Sequence, residues 1–392
     1  MIKKDNTIVS ILEYILACLV IIECNTLYKV YIPNILLYGL IIIILFVLLL
    51  INKKDIVVTP RFIGTYMLFI LYGLLPYSLI NHPFYQNLFL LYFFGALPLL
   101  YFYFKYTRDK LALFLRFATI MSIISFISSI CWLLCSSLKI VPMNQSIITM
   151  WGESRIIPSF YYIYFETQNN LFLGLQVTRN SAIFTEAPMF GICLSVALCI
   201  EVFLRPKLSW KHVVALLLGI ITSTSTTSFI LTILVIVLQR RFRLRNRLLQ
   251  FTLFLIITIS SVQIINNLLY DKMSNNSQSY DARTEKITEG YNKFLLNPVF
   301  GGGFMTQSEK NSNSIMTLLS ESGLYIGLLF IYALFLIPIR LYSKKEYHPI
   351  ACAWLIFFIG YCFTIITYNI ITLIFIAYML THSYRTFNNK RI

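Results

Sequence analysis

The amino-acid sequence predicts an all-α fold, a polytopic transmembrane helix bundle, and three observations lead to this prediction. Of the 392 residues, 58% are hydrophobic and only 12% are charged. The mean hydropathy is +0.75, and the apolar share is well above that of an ordinary soluble domain. Apolar runs rich in Leu, Ile and Phe recur along the chain, as expected of helices that need roughly 20 such residues to cross a bilayer. We therefore treat residues 1–392 as a single integral membrane domain.

The apolar runs predict helices and exclude a transmembrane β-barrel. Barrel strands alternate apolar and polar residues over about ten positions, and that alternation is missing here. Backbone groups inside a bilayer must bond to one another, which long apolar segments achieve as helices. Apolar windows predict about 12 transmembrane helices, near residues 8–24, 30–51, 62–81, 85–104, 111–138, 181–203, 211–222, 227–239, 249–267, 313–339, 349–366 and 368–382.

The net charge of +16 reflects membrane topology. A nucleic-acid partner would call for a basic stripe on a soluble face, whereas these Lys and Arg residues cluster between apolar runs. Placing both termini in the cytoplasm puts most of the 32 basic residues inside, including the cluster QRRFRLRNR at 239–247. We expect no nucleic-acid partner. The eight cysteines lie in or beside apolar runs without a CxxC pair, so we expect core positions and no disulfide or metal site.

A run of hydroxyl residues, TSTSTTS at 222–228, separates two short apolar halves. A single long helix is possible by length, but it would place the basic cluster at 239–247 outside. Two short passes keep that cluster inside, and they require the Ser/Thr turn to be covered by protein or to face a wet cavity. The hydroxyl groups either cap helix ends or serve function, and the sequence leaves both readings open.

Two segments, 140–180 and 268–312, are predicted to form the large loops outside the membrane. Loops of this length are uncommon unless they serve a function or are disordered, so we expect the chemistry to lie there. In the second loop, Asp281 is the expected N-cap of an amphipathic helix that ends before Pro298 and lies on the membrane surface. In the first loop, the aromatic-rich stretch 151–170 offers either sugar-stacking faces or interface anchors.

Four charged residues are the first candidates for a site. Arg179 stands at the mouth of the predicted sixth helix, and Glu186 is expected about two turns inside that helix, where a carboxylate must be paired or wet. The two residues form either a functional pocket or a purely structural pair. Arg283 shares the apolar stripe of the surface helix, where it either binds a lipid phosphate or pyrophosphate or merely anchors the helix. Glu321 poses the same choice on the helix after the second loop.

Several kinds of site are missing from the sequence. It contains no DxD pair, no HExxH motif and no Walker lysine, so we expect neither a metal nor another cofactor. The glycine turn in NPVFGGGF at 297–304 could form an anion nest, but no strand precedes it and no Lys-Ser/Thr follows it. We expect this turn to fold the surface helix back toward the tenth transmembrane helix, with glycines that permit close backbone approach.

Four stretches, RNSAIFTEAPMFG, TSTSTTS, ARTEKITEGYNKFLLNPVFGGGF and SNSIMTLLSESGLYIG, together resemble the bacterial O-antigen and capsular polysaccharide polymerases. These Wzy-type polymerases are related to the O-antigen ligases, and the resemblance covers roughly residues 175–340. It implies a metal-independent glycosyltransferase at the outer face of the bacterial cytoplasmic membrane. Such an enzyme transfers a growing glycan from a polyprenyl-pyrophosphate carrier onto a lipid-linked oligosaccharide repeat unit. Membrane lipids, a flippase and a chain-length regulator are the further partners it implies.

The resemblance also implies roles for residues. Arg179 and Arg283 would bind pyrophosphate, with Asn313 and Tyr291 as further substrate-binding residues. Glu186 is the first candidate for the base that activates the acceptor, and Glu321 is the second. Ser312 occupies the place where the ligases carry a histidine, which argues against the ligase branch. A ligase, a polysaccharide flippase or other transporter, and a non-catalytic scaffold remain the alternatives.

Overall fold

The computed structural model describes residues 7–52, 60–79, 91–149, 155–172, 175–239, 277–304 and 313–388. These residues are mostly helical, as the sequence predicts. They belong to two compact units. Unit 1 comprises Met1–Cys24, Tyr31–Arg116 and Lys286–Ile392, and unit 2 comprises Asn25–Val30 and Phe117–Glu285.

The helices follow the predicted apolar windows closely. In chain order they are α1 Thr7–Glu23, α2 Asn34–Ile51, α3 Pro60–Leu79, α4 Leu97–Tyr106, α5 Ala112–Cys131, α6 Ala187–Cys199, α7 Trp210–Ser223, α8 Thr226–Leu238, α9 Ser277–Leu296, α10 Ser314–Ile331, α11 Ile337–Tyr342, α12 His348–Phe363 and α13 Ile370–Asn388. Wider π-helical turns precede α4 (Leu91–Ala96), extend α5 (Trp132–Ser137) and α6 (Ile200–Leu204), and join α10 to α11 (Tyr332–Leu336). The window at 249–267 lies outside the described residues.

Four helical segments of the described chain are long and apolar enough to cross a membrane. They are Asn34–Ile51, Ala112–Ser137, Ala187–Leu204 and Ser314–Tyr342. In α2, Ile41 and Leu48 are buried, whereas Ile43 and Phe46 are exposed, as expected of a helix with one side toward lipid. The protein is therefore a helical membrane protein, and the count of about 12 passes stays a prediction.

Unit 1 contains a helix that is broken at a glycine. Inside α10, Gly323 has φ 62° and ψ −165°, which is not helical. The turn after α9 covers the break: the amides of Leu324 and Tyr325 donate to the carbonyls of Pro298 and Val299, at 2.8 and 2.9 Å. On the other side of the break, the amides of Gly302 and Gly303 donate to the carbonyls of Ser320 and Glu321, at 2.8 and 3.0 Å. The glycine turn therefore satisfies backbone groups that the break would leave without partners.

Close backbone contact explains why glycines occupy both sides of this junction. Gly301 has φ 74°, and a Cβ on it would overlap the carbonyl group of Glu321 and lie 2.5 Å from the amide nitrogen of Ser322. A Cβ on Gly323 would likewise lie 2.6 Å from the amide nitrogen of Gly301. The expected role of NPVFGGGF as a turn that brings two backbones together is confirmed.

Buried carboxylates of unit 1 outside the candidate site have structural partners. Glu23 accepts a hydrogen bond of 2.8 Å from the amide of Ile370, the first residue of α13, and lies 3.2 Å from the Tyr38 hydroxyl. A carboxylate at a helix N-terminus is favourable, because the first amides of the helix have no intrahelical partner. Glu13 accepts a bond of 2.8 Å from the Tyr103 hydroxyl.

Among the described helices of unit 2, α6 and α8 run parallel. At one end, a Cβ on Gly191 of α6 would lie 3.0 Å from the Cβ of Ser225, which precedes α8. At the other end, the amide side chain of Gln239, just after α8, donates to the carbonyl of Val202 at 2.8 Å. Between α7 and α8 the chain turns at Thr224, whose φ of 47° is left-handed. The sequence interpretation of two short helices is correct, and the single long helix is excluded.

The first large loop contains two small antiparallel sheets that the sequence analysis did not predict. The first sheet has the order β1 (Gln145–Thr149), β2 (Arg155–Phe160), β3 (Tyr164–Phe165), and the second pairs β4 (Asn169–Phe172) with β5 (Leu175–Thr178). The inner face of the first sheet packs with Leu27 and Phe165. The described residues of this loop therefore form a structured part of unit 2.

Candidate functional site

Arg179 lies just after β5 and caps the end of α7. Its backbone amide donates to the carbonyl of Gln168 at 3.0 Å. Its guanidinium reaches the turn after α7: Nε donates to the Ser223 carbonyl (3.0 Å) and to Thr224 Oγ1 (3.1 Å), and Nη2 donates to the Thr224 carbonyl (3.2 Å). A cation at a helix C-terminus satisfies carbonyls that have no intrahelical donor.

The Arg179 guanidinium keeps its charge and part of its donor capacity. Burial lowers the pKa of Arg179 from its ordinary value to about 10, and the nearby Glu186 carboxylate opposes this shift. The side chain is still protonated at neutral pH, because that pKa is well above 7. Its Nη1 nitrogen bonds to no acceptor among the described residues. Arg179 therefore retains hydrogen-bond donors for an anion.

Asn180, which follows Arg179, anchors the first large loop to α5 and to the Ser/Thr-rich turn at residues 222–228, here called the hydroxyl turn. This fully buried residue donates its backbone amide to the Thr222 carbonyl (3.1 Å) and its side-chain amide to Thr222 Oγ1 (2.9 Å) and Ser128 Oγ (3.3 Å). Sequence reasoning missed this residue. Its only signal was an amide side chain directly between Arg179 and a small apolar stretch.

The N-termini of α6 and α8 lie at the same end of unit 2 as Arg179. Ser225 precedes α8 with an extended backbone and makes no side-chain cap bond. Glu186 precedes α6 in the same way. The first amides of such a helix have no intrahelical partner and favour an external acceptor. Next to this end, the buried Ser228 hydroxyl has no hydrogen-bond partner in the described structure.

The predicted position of Glu186, about two turns inside a helix, is wrong. The helix α6 begins at Ala187, and Glu186 is its N-cap, with φ −144° and ψ 143°. Pro188 favours this start because it has no amide hydrogen and fits the first helical turn. The preceding residues are held outside the helix, where the carbonyl of Ile183 accepts from the amide of Leu27 at 2.8 Å. Arg179 and Glu186 nonetheless lie near each other, at the end of unit 2 where α6 begins; we call this end the mouth.

The surface helix α9 begins earlier than the sequence indicated. It starts at Ser277, so Asp281 lies inside the helix and the prediction of Asp281 as N-cap is wrong. It ends at Leu296, as expected before Pro298. The side chains of Ile287, Tyr291 and Leu295 are exposed at helical spacing, which agrees with an apolar stripe. Arg283 lies in α9, but its side chain is outside the described part, so its role stays a prediction.

Glu321 lies on α10 in unit 1, and Asn313 directly precedes that helix. Glu321 is fully buried two residues before the break at Gly323, near the Tyr368 phenol, which also hydrogen-bonds Ser322 at 2.8 Å. Asn313 is the N-cap of α10, because its side-chain oxygen accepts from the amide of Met316 at 2.8 Å. Asn313 therefore has a structural role as a cap, and its role in substrate binding stays a prediction. The neighbouring Ser312 lies outside the described residues.

The described structure thus brings Arg179 and Glu186 together with the hydroxyl turn in unit 2. Glu321 on α10 and Asn313, the N-cap of that helix, lie in unit 1, eight residues apart along the sequence. Across the residues described, no three His, Cys, Asp or Glu side chains lie close enough together to hold a metal ion. No known protein family matches this chain, and no curated protein sequence matches it.

Proposed function

We propose that this protein is a polysaccharide polymerase of the bacterial cytoplasmic membrane, with both termini in the cytoplasm and its site on the outer face. It transfers a growing glycan from a polyprenyl-pyrophosphate carrier onto a lipid-linked repeat unit. The observation that carries the proposal is the mouth formed by Arg179, the hydroxyl turn and the N-termini of α6 and α8.

This mouth has the properties of a diphosphate site. Diphosphates are bound by forked guanidinium groups and by helix N-termini, and both occur here at one end of a helical membrane unit. The hydrogen bonds from Arg179 to Ser223 and Thr224 fix the direction of the guanidinium before a ligand arrives. A preorganised donor stabilises charge that develops in a transition state without further reorganisation.

The reaction needs little more than charge stabilisation and positioning. The acceptor hydroxyl oxygen forms a bond to the anomeric carbon of the donor sugar, while the bond from that carbon to the pyrophosphate oxygen breaks. The polyprenyl pyrophosphate leaves with the bonding electrons, and Arg179 with the nearby amides stabilises its added negative charge. Glu186, beside Arg179 at the start of α6, takes the proton of the acceptor hydroxyl.

Two further elements serve this function. The exposed stripe of Ile287, Tyr291 and Leu295 lets α9 lie on the membrane surface, where Tyr291 contacts the lipid-linked substrate. Arg283, on the same helix, binds the second pyrophosphate. A flippase supplies the repeat units, and a chain-length regulator acts on the product.

Complementation of a bacterial strain that lacks its own polymerase tests the proposal. Arg179→Gln should insert and accumulate, yet leave single repeat units on the surface, because loss of one charged donor raises the barrier by about 3 kcal/mol, on the order of a hundredfold in rate. Arg179→Lys should recover part of the chain length, since it keeps the charge without the fork.

A matched control is Arg205→Gln at the opposite end of α6. Arg205 is also part-buried and bonded, to Glu201 at 2.6 Å and Thr119 at 2.9 Å, so its loss reports the cost of removing a guanidinium from unit 2. Chain length per folded protein should fall for Arg179→Gln and persist for Arg205→Gln. Normal chain length in Arg179→Gln would refute the assignment.

The break in α10 favours a second candidate, a transporter of lipid-linked oligosaccharide. Discontinuous helices with a buried carboxylate are typical of membrane transporters, and Gly323 with Glu321 forms such an element. The same strain separates the two functions. Loss of a polymerase leaves single repeat units outside the membrane, whereas loss of a transporter leaves them inside.

A further inference from the structure

One side of α5 exposes apolar residues at helical spacing. Ile123, Phe126, Ile130 and Leu133 are all exposed, and they recur every three or four residues along a segment long and apolar enough to cross a membrane. Such a stripe on a spanning helix faces lipid, because bilayer hydrocarbon is its only suitable surroundings. We therefore take this stripe as the lipid-facing side of α5.

The exposed apolar surface continues beyond the end of α5. The π-helical extension ends at Ser137, and Leu138, Ile140 and Met143 follow with more than half of each side chain exposed. Only seven residues separate Ser137 from the start of β1 at Gln145, a reach of at most about 25 Å. The first sheet therefore lies close to the point where the chain leaves the membrane.

Each face of the β1–β2 hairpin carries a pair of isoleucines. In the β1–β2 register, Ile147 pairs with Ile157, and these inner side chains are 4% and 6% exposed. The next pair, Ile148 with Ile156, points to the opposite face and is 63% and 73% exposed. An outward face toward water would normally carry polar residues at these positions.

The sheet is firmly attached to the end of α5. Phe160 and Tyr164 pack in one cluster with Cys135, against Cys131 and Trp132. Ser136 also lies 2.8 Å from the Tyr164 hydroxyl and donates to the Glu166 carboxylate at 2.6 Å. The outer face therefore keeps a fixed position relative to the lipid-facing stripe.

We propose that the outer face of the β1–β2 hairpin, with Leu138, Ile140 and Met143, docks onto the lipid headgroup region of the same membrane. Continuity with the α5 stripe identifies lipid as the occupant. Isoleucine side chains offer a sugar neither a stacking ring nor a hydrogen bond, which argues against a glycan on this face. The exposed Lys139 lies beside these residues and can meet lipid phosphates. The inference does not depend on the polymerase proposal.

Photo-crosslinking of the full-length protein in vesicles tests the docking. Benzoylphenylalanine is placed at Ile148 or Ile156 and, as the matched control, at Ile147 or Ile157 on the inner face of the same strands. The vesicles contain phosphatidylcholine and phosphatidylglycerol, and mass spectrometry identifies the adducts. We expect phospholipid adducts from positions 148 and 156 and their loss at positions 147 and 157.

Two results would overturn the proposal. A covalent dimer as the main product would assign the face to a second copy of the chain, and a folded protein without any lipid adduct would place it in water. If the bulky probe prevents folding, bimane on Ile156→Cys replaces it, with the parent protein labelled in parallel because Cys18 is exposed. Nitroxide-labelled lipid should quench this bimane and aqueous iodide should not, and the reverse pattern would refute docking.

Discussion

Replacing Gly323 with alanine tests how the break in α10 is held. The new Cβ would overlap the carbonyl of Val299, at 2.5 Å from its carbon, and would lie 2.6 Å from the Gly301 amide nitrogen. All these atoms are backbone, so no side chain can rotate away to make room.

The expected loss of stability follows from two terms. A backbone with φ 62° and ψ −165° strains any residue with a side chain by about 1–3 kcal/mol. Overpacking adds about 1–3 kcal/mol, so we expect a loss of about 4 kcal/mol. That is a large part of the roughly 5–15 kcal/mol that stabilises a typical folded protein.

Thermal unfolding of the purified protein in detergent measures the effect. A thiol-reactive fluorophore reports exposure of buried cysteines such as Cys24 and Cys352. We expect the Tm of Gly323→Ala to fall by roughly 5–10 °C. The control is Gly39→Ala in α2, where a Cβ meets no heavy atom within 4 Å. That variant should melt at or above the parent Tm, since alanine favours a helix by about 0.5–1 kcal/mol. Equal Tm values for Gly323→Ala and the parent would refute the close approach.

Three further predictions concern single side chains. Asn313→Ala should lower the free energy of unfolding by about 1 kcal/mol, because the cap bond is lost, whereas Asn313→Asp should keep it; Tm measures both. Loss of glycan chain length in a stable Asn313→Asp protein would instead indicate that Asn313 contacts the substrate. Stabilisation by pyrophosphate, read as a Tm shift, should hold from pH 7 to 9 and decline as the pH rises through the Arg179 pKa of about 10. Without ligand, the stability of the protein should instead increase as the pH rises above the Arg179 pKa of about 10, because burial disfavours the charged guanidinium and its deprotonation relieves that penalty. A Tm shift by pyrophosphate that stays unchanged above pH 10 would exclude Arg179 from the anion site. Ser228→Ala should match or exceed the parent Tm, because that buried hydroxyl has no described partner. A Gly191→Ala variant should have a lower Tm because its Cβ clashes with the Ser228 hydroxyl, and adding Ser228→Ala should restore part of that Tm. A Ser228→Ala protein clearly less stable than the parent would reveal a bond to this hydroxyl.

Apolar length and turn chemistry predicted most helix ends well. The expected start at residue 211 and the observed start of α7 at Trp210 agree, and the hydroxyl run marked the break at Thr224. In these places local sequence determines the structure. Pro33 and Pro298 likewise stand beside helix ends because proline lacks an amide donor.

Tertiary partners determine the features that the sequence did not reveal. The window at 313–339 predicted a continuous helix, yet α10 breaks at Gly323 because a distant turn supplies donors and acceptors for the broken backbone. Glu186 lies outside α6 because Thr185 and Ile183 bond to the segment at Asn25–Leu27. Neither contact leaves a local pattern in the sequence.

The candidate site was predicted in part. Charge beside an apolar run marks Arg179 and Glu186 as site residues in the sequence, and in the structure they lie near each other. The hydrogen bonds from Arg179 to the α7 carboxyl end could not be anticipated, since they require the fold of the hydroxyl turn 44 residues further along the chain.

The junction between the glycine turn and the broken helix connects the end of α9 to the buried residues around Glu321 in unit 1. Four backbone hydrogen bonds join the segment after α9 to the residues around Glu321. These bonds hold the end of α9 against the backbone around the buried Glu321. A change in the tilt of α9 would therefore also move the Glu321 carboxylate.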